Sequence, residues 1–503
     1  MLEMLLEGFA TVFTLNTLLL VLVGVVLGLV FGSIPGLTAT MAIAICLPIT
    51  FGMEATDGMA LLMGLYIGGV SGGLIPAILL NLPGTPSSIA ATFDGYPMAK
   101  KGQAGKAFGI AISFSFLGGL FSILILMFVS PPLAQLAIKF GPFEYFAVTM
   151  FALTMISSVS GNSIIKGLLS GLIGMSLALV GSAPIDAYPR FTFGFDALDA
   201  GFALLPVMIG LFAISEILKT SESKIKTIDQ KETPDYRMKG LGFSLAEFVK
   251  QGWNGLRSAL IGVGIGILPG IGGGTANLVS YAVAKNQSKY PEKFGKGVPD
   301  GLVASETSNN AAIGGALVPL LSLGIPGDTV TALLLGGLVL HGITPGPLLF
   351  EQNGGVVYVI FAALLVANLV MLVSLYLGMR VFVRILSIPQ HILLPIIIVL
   401  CVVGAFGENN RLFDAGALLF FGILGYAMYK FDFPLTPLIL GFILGPIAET
   451  NLRRGLMYTQ GEFIPFLTSP IAAFFLILAV VSVILSARKN IIKKKEKDLT
   501  VSS

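Results

Sequence analysis

Charged residues are scarce in this sequence. They make up 11% of its 503 residues, whereas 55% of the residues are hydrophobic, and no charged residue occurs between Glu7 and Glu54. A soluble protein of this size needs far more charge to cover its surface with polar groups. The scarcity therefore excludes an ordinary water-soluble fold, and it indicates that lipid is the solvent for most of the surface.

The residues that support most catalytic and metal sites are also rare. The two cysteines, Cys46 and Cys401, lie in apolar runs, which predicts neither a disulfide framework nor a Cys-based metal site. The two histidines, His341 and His391, have no ligand spacing, and no P-loop or H-E-x-x-H motif occurs. Residues 69–73 fit G-x-S-x-G, but without a strand–turn–helix context they favour glycine-mediated helix packing. We therefore expect neither an enzyme nor a bound cofactor.

Apolar segments recur along the whole chain and predict an all-α integral membrane protein. Several of the short ones fall below a standard span of about 20 residues, so they could be broken helices, re-entrant hairpins or tilted spans. We expect roughly 12–15 membrane-entering helices. The longer segments are 11–31, 58–82, 107–129, 143–159, 167–181, 202–218, 302–323, 354–379, 391–406, 412–429 and 467–487, and the shorter ones are 38–52, 253–268, 271–284 and 434–447.

The distribution of basic residues predicts the membrane topology. Lysine and arginine are absent before Lys100, and afterwards they gather between apolar segments, as they do in cytoplasmic loops. The apolar N-terminus has no basic region before it, so it is not expected to be a cleaved signal peptide. We expect a multi-pass protein of the cell (inner, cytoplasmic) membrane, with its N-terminus outside and its C-terminus in the cytoplasm. The predicted order is a first membrane half at 1–218, a cytoplasmic linker at 219–252, a second half at 253–487 and a basic cytoplasmic tail at 488–503.

The two halves contain related segments. Asp57–Gly84 aligns without gaps with Asp300–Gly327, at an offset of 243 residues, and residues 32–36 resemble residues 266–270 at an offset of 234. The alternative is a coincidence between Gly/Pro-rich apolar segments. Lysines follow the first copy but precede the second, so the positive-inside rule predicts opposite directions through the membrane. Two inverted repeats of this kind are a common transporter architecture.

Four Pro-Gly steps interrupt apolar segments, and small polar residues lie beside them. Proline cannot continue a helix without a break, and glycine permits the backbone angles of a turn. A helix that begins after such a break points its free N–H groups at the break, so these places predict an anion site. The alternative is that Pro-Gly only forms tight connections. The predicted substrate-binding residues are Pro35, Gly36, Thr38, Thr40, Asn81, Pro83, Gly84, Thr85, Ser87, Ser88, Pro269, Gly270, Thr275, Asn277, Pro326, Gly327 and Thr329.

One carboxylate stands early in an otherwise apolar segment. Glu306, with Asn309 and Asn310, is a candidate to bind Na⁺ or to exchange a proton, because a buried membrane carboxylate needs a partner or a role. The alternative is a helix-start residue in the headgroup region, close to Asp300. Asp328, next to a break, is the second candidate for ion coupling.

Several of these motifs together resemble a known family. The sequence is similar to the large membrane subunit of the tripartite tricarboxylate transporters, and the similarity covers nearly the whole chain. The motifs that carry the resemblance are Gly32-Ser-Ile-Pro-Gly-Leu-Thr, Asn81-Leu-Pro-Gly-Thr-Pro-Ser-Ser, Phe93-Asp-Gly-Tyr-Pro-Met-Ala-Lys-Lys-Gly-Gln-Ala-Gly-Lys-Ala, Ile267-Leu-Pro-Gly-Ile-Gly-Gly, Ser305-Glu-Thr-Ser-Asn-Asn-Ala and Gly324-Ile-Pro-Gly-Asp.

The resemblance implies the partners and the mode of transport. A permease of this family works with a small four-helix membrane subunit and an extracytoplasmic solute-binding protein. It imports citrate-like tricarboxylates or related carboxylate anions, driven by a gradient of Na⁺ or H⁺. A passive anion channel is the alternative, and it would not accumulate substrate against a gradient. An intramembrane enzyme or an anchoring subunit explains the paired breaks less well.

Overall fold

The computed structural model describes residues 2–159, 163–222, 242–386 and 390–484. In these ranges the chain is helical except for loops and one two-residue hairpin, which confirms the all-α prediction. The predicted basic tail at 488–503 and the central part of the predicted linker, at 223–241, lie outside the described residues. The hairpin pairs β1 (Gly181–Ser182) antiparallel with β2 (Pro189–Arg190).

Many of the helices follow one another closely, whereas residues 179–203, which include the hairpin, separate two of them. The first eleven are α1 Leu2–Val12, α2 Leu15–Ser33, α3 Ala39–Thr50, α4 Ala55–Gly72, α5 Leu74–Leu80, α6 Ile89–Met98, α7 Ala104–Ala137, α8 Pro142–Val159, α9 Ile164–Ala178, α10 Leu204–Ile209 and α11 Ser215–Glu222. The remaining ones are α12 Leu245–Lys250, α13 Gly252–Gly266, α14 Gly272–Gln287, α15 Pro299–Leu323, α16 Thr329–Leu340, α17 Leu349–Gln352, α18 Gly354–Ile385, α19 Gln390–Asn409, α20 Leu412–Lys430, α21 Leu435–Tyr458, α22 Ile464–Thr468 and α23 Pro470–Ile484.

Among the described residues, seven helical segments are long and apolar enough to cross a membrane. They are Leu15–Ser33, Ala55–Leu80, Pro86–Ala137, Leu204–Glu222, Gly354–Ile385, Leu412–Lys430 and Leu435–Tyr458. Five shorter apolar helices of 10–17 residues accompany them. The membrane-protein prediction is therefore confirmed, whereas the number of segments that enter the membrane stays a prediction.

Two apolar helices that the sequence analysis did not separate begin just after the breaks. These are α6, of 10 residues, and α16, of 12 residues. Helix α16 is shorter than a membrane span, which needs about 20 apolar residues, whereas α6 belongs to the longer segment Pro86–Ala137. At the other end of α6, Gly102 has a φ of 75° and separates the helix from α7.

The chain forms two compact units. The first comprises Met1–Ala134 and Glu216–Glu408, and the second comprises Gln135–Ser215 and Asn409–Ser503, in each case as far as the residues are described. The first unit contains both aligned repeat copies and all four Pro-Gly breaks. In the second unit, α21 packs on α8 and α9, and Arg190 of the hairpin bonds Glu449 of α21 at 2.6 Å.

Within each half, helices pack closely at glycine residues, and the two halves do so in the same way. A Cβ added to Gly72 of α4 would lie 2.6 Å from the carbonyl oxygen of Leu29 in α2. A Cβ added to Gly315 of α15 would lie 2.6 Å from the carbonyl oxygen of Val263 in α13. These contacts correspond at the offsets found in the sequence, and such close backbone approach is typical of membrane helix pairs. The glycine-mediated helix packing predicted for residues 69–73 is observed at Gly72, which packs on α2.

Candidate functional site

The four breaks are built as two matched pairs. In the first break of the first pair, α2 ends, the chain turns through Gly36 (φ 91°) and α3 begins. In the matching break, α13 ends, the chain turns through Gly270 (φ 78°) and α14 begins. Thr38 is the N-cap of α3, and its side chain accepts a bond from the Met41 N–H at 3.2 Å. Positive φ angles of this size favour glycine, which is why Pro-Gly supplies the turn.

The second pair matches residue by residue at the offset of 243. Helix α5 ends at Asn81 and α15 ends at Gly324, both in the left-handed conformation. Thr85 and Ser88 then form a reciprocal cap at the next helical turn, and Asp328 forms the equivalent cap with Thr331 at the start of α16. Because a side-chain oxygen satisfies N–H groups of the first turn, a helix can begin there inside the protein.

The structure brings the breaks of the two copies together. Thr40, near the start of α3 in the first half, lies 3.3 Å from Thr329 at the start of α16, measured between hydroxyl oxygens. The same contact recurs with the two halves exchanged. Gly274 corresponds to Thr40 and Pro86 to Thr329, and a Cβ added to Gly274 would lie 3.6 Å from Pro86 Cβ. Each break of the first pair therefore contacts a break from the opposite half, and all four converge in the first unit.

Asn277 fastens two of the breaks to each other. Its amide nitrogen donates to the carbonyl oxygens of Ser87 at 2.7 Å and Gly273 at 3.0 Å, and its amide oxygen accepts from the Ala90 N–H at 3.3 Å. Since these bonds occupy both ends of the buried amide, Asn277 is a structural link between α14 and α6. Asn81, by contrast, is an exposed helix end, and Pro83 beside it is exposed as well.

The carboxylate of Asp328 is fully engaged in holding the start of α16. Its Oδ1 atom accepts bonds from the N–H and the hydroxyl of Thr331, at 2.7 and 2.8 Å. Its Oδ2 atom accepts a bond from the Tyr66 hydroxyl at 2.8 Å. These partners and the adjacent helix N-terminus explain the buried charge. Sequence reasoning missed Tyr66, whose partner lies 262 residues away along the chain.

Glu306 is much less well satisfied. It is fully buried in α15, and its Oε2 atom accepts one bond, from the Ser115 hydroxyl of α7 at 3.0 Å. Its Oε1 atom has no hydrogen-bond partner among the described residues. A buried carboxylate with a single hydroxyl donor is costly as a bare anion, so a proton or a bound cation would stabilise it.

The three polar residues proposed for ion coupling face three different neighbours. Glu306 faces α7, whereas the Asn310 amide oxygen accepts from the Ser71 hydroxyl of α4 at 2.8 Å. Asn309 faces α14, since a Cβ added to Gly273 would lie 2.9 Å from the Asn309 amide oxygen. The structure therefore does not gather the Glu306, Asn309 and Asn310 side chains into one cluster.

Asn309 has the most unusual surroundings of the three. It is 1% exposed, and neither its amide oxygen nor its amide nitrogen has a hydrogen-bond partner among the described residues. The added Cβ on Gly273 that approaches Asn309 would also lie 3.3 Å from Ser87 Cβ, so this amide is aimed at the junction of two breaks. Buried amides are almost always bonded, so the unpartnered amide of Asn309 is an exception within the described residues.

The electrostatic character of the site comes from the backbone. No lysine or arginine lies within ten residues of any of the four Pro-Gly steps. The N-termini of α3, α14 and α16 lie there instead, and Thr38, Thr40, Thr275 and Thr329 add hydroxyl groups. Unpaired N–H groups and the positive end of the helix dipole attract anions, and they do so without a basic side chain.

One of the comparisons with known proteins names a family. The sequence model of the tripartite tricarboxylate transporter TctA family matches residues 18–440. An uncharacterized 52.8 kDa protein in the TAR-I ttuC' 3' region of Agrobacterium vitis is 36% identical over 490 residues, which cover 97% of each chain. An uncharacterized protein in the TAR-II ttuC' 3' region of the same organism is 39% identical over 232 residues, or 46% of this chain and 96% of that protein. No solved structure matches.

The family match covers the residues that form the site. Residues 18–440 include all four breaks, the polar run of α15 and the linker between the halves. The fold is that of a multi-pass helical membrane protein, as a permease requires. On the extent of the family match and of the similarity to the first relative, this chain belongs to the tripartite tricarboxylate transporter TctA family.

Proposed function

We propose that this chain is the permease through which a binding-protein-dependent secondary transporter imports citrate-like tricarboxylates or related organic carboxylate anions. The observation that carries the proposal is the convergence of four helix breaks on one buried region without basic side chains. Helix N-termini that meet a carboxylate at such a region are a recurring solution in secondary transporters.

The proposed contacts divide between backbone and side chains. The first-turn N–H groups of α3 and α14 meet the carboxylate oxygens, and Thr40, Thr329 and Ser87 add hydroxyl donors. Asn309 completes the site, because its unpartnered amide faces the junction of two breaks. Weak, distributed donors of this kind release an anion more readily than a buried arginine would, which suits transport.

Coupling to a cation gradient is assigned to Glu306. Its Oε1 atom has no partner in the described part of the chain, whereas Asp328 already accepts three bonds. We propose that Na⁺ or H⁺ occupies the position beside Glu306 during transport. Asp328 is then a helix cap whose charge stays fixed.

The proposed mechanism uses two inverted repeats. Three contacts in the first unit support antiparallel copies. The start of the first copy meets the chain that follows the second, where Gly58 packs against His341. The chain that follows the first copy meets the start of the second, where Gly95 packs near Leu302 and Asp94 near Gly301. Copies that run in opposite directions around one site could rock or slide to expose it to each side in turn.

The proposal includes two partners and an orientation. The small four-helix membrane subunit and an extracytoplasmic solute-binding protein would complete the transporter. Lys101, after the first copy, donates to the carbonyl oxygen of Lys296, before the second copy, at 2.6 Å, so these two basic stretches adjoin. Adjoining basic loops support a cytoplasmic position for both, with the N-terminus outside and the C-terminus inside.

Uptake into proteoliposomes tests the proposal. Vesicles would contain this chain with its small subunit and binding protein, and labelled citrate would be compared with di- and monocarboxylates, with and without an imposed Na⁺ or H⁺ gradient. We expect accumulation that follows one gradient and requires the binding protein. Uptake that only equilibrates across the membrane would instead favour a passive anion channel.

A further inference from the structure

A short helix of the first unit, α12, has the composition of a segment at the lipid interface. Its Leu245 and Val249 side chains, and Trp253 just after it, are each at least 70% exposed. Trp253 is the only tryptophan of the chain. Glu247, on the same helix, bonds Lys106 of α7. Exposed apolar residues beside charged ones and a tryptophan are typical of helices that lie in the headgroup layer.

A basic cavity lies beside this helix. It has a volume of about 450 Å³, and Lys250, Lys289 and Lys293 line it together with the acidic Glu247 and Asp300. Because Glu247 already pairs with Lys106, the lysines outnumber the acidic groups that remain for them. The excess of positive charge makes the cavity complementary to an anionic group. Basic cavities of this kind, close to the membrane surface, bind lipid headgroups.

Two apolar clefts adjoin the cavity. One, of about 410 Å³, lies between α7 and α18 and includes Leu372 and Val373. The other, of about 370 Å³, lies between α7 and α13 and includes Phe121 and Leu256. Both clefts share Leu117 and Phe248, which stand between them.

The cavity and the clefts are lined by residues of α12 or by their neighbours in the chain. Gln251 lines the cavity, and the next residue, Gly252, lines the second cleft. Phe248 of α12 lines both clefts and packs on Phe114 of α7, with ring centroids 5.4 Å apart. The surface around α12 thus offers one cationic cavity and two apolar clefts.

We propose that this surface binds one anionic diacyl phospholipid, with its phosphate in the lysine-lined cavity and one acyl chain in each cleft. The division by Leu117 and Phe248 fits two thin chains, whereas a partner helix about 10 Å wide would need a single broad groove. A soluble anion would use the cavity but would gain nothing from the clefts. Charge and shape together therefore favour a lipid, and this site is independent of the carboxylate site.

Native mass spectrometry of the purified protein tests the proposal. The protein in detergent would be mixed with phosphatidylglycerol or with phosphatidylcholine of the same acyl chains and then released from the detergent for the measurement. We expect retention of one phosphatidylglycerol molecule in preference to phosphatidylcholine. Replacing Lys250, Lys289 and Lys293 together by Gln should lower that retention by about tenfold or more, since each basic group at a membrane surface contributes to anionic lipid binding.

A matched variant controls for net charge. Lys100, Lys285 and Lys296 belong to the same basic loops but do not line the cavity, so the triple Gln variant at these positions should retain the lipid. Leu117→Trp should weaken retention by filling both clefts, whereas Leu369→Trp, on an exposed part of α18 outside the clefts, should not. The melting temperature of each variant in detergent alone identifies any that fold poorly.

Three results would overturn the proposal. Equal retention of the two lipids would mean that the surface binds lipid without selectivity. Equal loss of phosphatidylglycerol from both lysine variants would mean that only the overall charge matters. Displacement of the lipid by citrate or phosphate, or by the small membrane subunit, would assign the surface to a soluble anion or to a partner helix.

Discussion

The two aligned copies share a backbone plan but differ in the side chains that they bury. Residues 62–67 of α4 are Leu, Met, Gly, Leu, Tyr and Ile, whereas the aligned residues 305–310 of α15 are Ser, Glu, Thr, Ser, Asn and Asn. Both stretches are buried. The first copy therefore places an apolar helix where the second places a polar one, although the glycine contacts and helix caps around them correspond.

This difference separates architecture from chemistry. Equivalent caps at Thr85 and Asp328, and equivalent close contacts at Gly72 and Gly315, build the same break in each copy. Burying six polar residues in succession is costly unless each finds a partner. Glu306 and Asn309 have side-chain atoms without a hydrogen-bond partner among the described residues. The free-energy cost of burying these polar atoms is therefore not offset, and it falls at the residues where ligands are proposed to bind. The following variants test that contrast.

The largest effect is expected from making α15 resemble α4 at the coupling position. Glu306→Met introduces the residue of the aligned position 63, and Glu306→Gln keeps the shape without the charge. Both should reduce gradient-driven uptake by about a hundredfold, because the proposed cation would lose its charged ligand. Counterflow of substrate without a gradient should persist in both.

The control is Met63→Leu in the first copy, which should leave uptake nearly unchanged. If Glu306→Gln retains the full dependence on the cation gradient, the assignment of coupling to Glu306 is wrong. The uptake proposal itself would survive that result.

The second effect is expected from Asn309. Asn309→Leu removes the unpartnered amide, and it should raise the concentration of substrate needed for half-maximal uptake by about tenfold, as for one hydrogen bond to a charged group. Asn277→Leu is the contrasting variant. Because Asn277 already bonds Ser87 and Gly273, its loss should lower the amount of folded protein.

Measurements of uptake kinetics and of the melting temperature separate these two roles. A destabilised Asn309→Leu protein with unchanged substrate affinity would show that Asn309 is a structural residue, like Asn277.

A smaller effect, on stability, is expected equally in the two copies. Gly72→Ala and Gly315→Ala each place a Cβ against a neighbouring carbonyl oxygen, and each should reduce the free energy of unfolding by about 1–3 kcal/mol. Thermal unfolding in detergent measures both. Gly264→Ala, in α13, is the control, since no atom lies within 4 Å of the added Cβ. Unequal losses at the matched positions would argue against a shared architecture.

The smallest effect concerns the ion pair between Lys106 of α7 and Glu247, which lies outside the membrane-spanning segments. The bond from Lys106, with the N-cap bond to Ser244, lowers the pKa of Glu247 to about 2. Because the pKa is lowered, the pair stabilises the fold at pH values above the ordinary glutamate pKa, near 4.5. This contribution is lost as the pH falls towards 2. Because the pair is partly exposed, about 0.5 kcal/mol or less is expected.

Comparing Lys106→Gln with the unchanged protein between these pH values tests the pair. The difference in melting temperature between the two proteins should shrink as the pH falls. A difference that stays constant with pH would show that Lys106 contributes through packing.

Much of the architecture could be predicted because it depends on local composition. The apolar segments and the four Pro-Gly breaks follow from residues close together in the chain. Helix α16 was missed because its 12 apolar residues fall well below the length of a membrane span, about 20 residues. Tyr66 and Ser115 were missed because their carboxylate partners lie 262 and 191 residues away.

The sequence by itself determined that lipid surrounds this protein, where its helices break and which family it belongs to, since these follow from hydropathy, from proline and glycine, and from long motifs. It left Glu306 and Asp328 as equal candidates for ion coupling. Only the tertiary structure distinguished them, by surrounding Asp328 with Tyr66 and Thr331 and leaving one oxygen of Glu306 without a partner among the described residues. The physical reason is that hydrogen bonds decide the cost of a buried charge, and distant segments supply the partners.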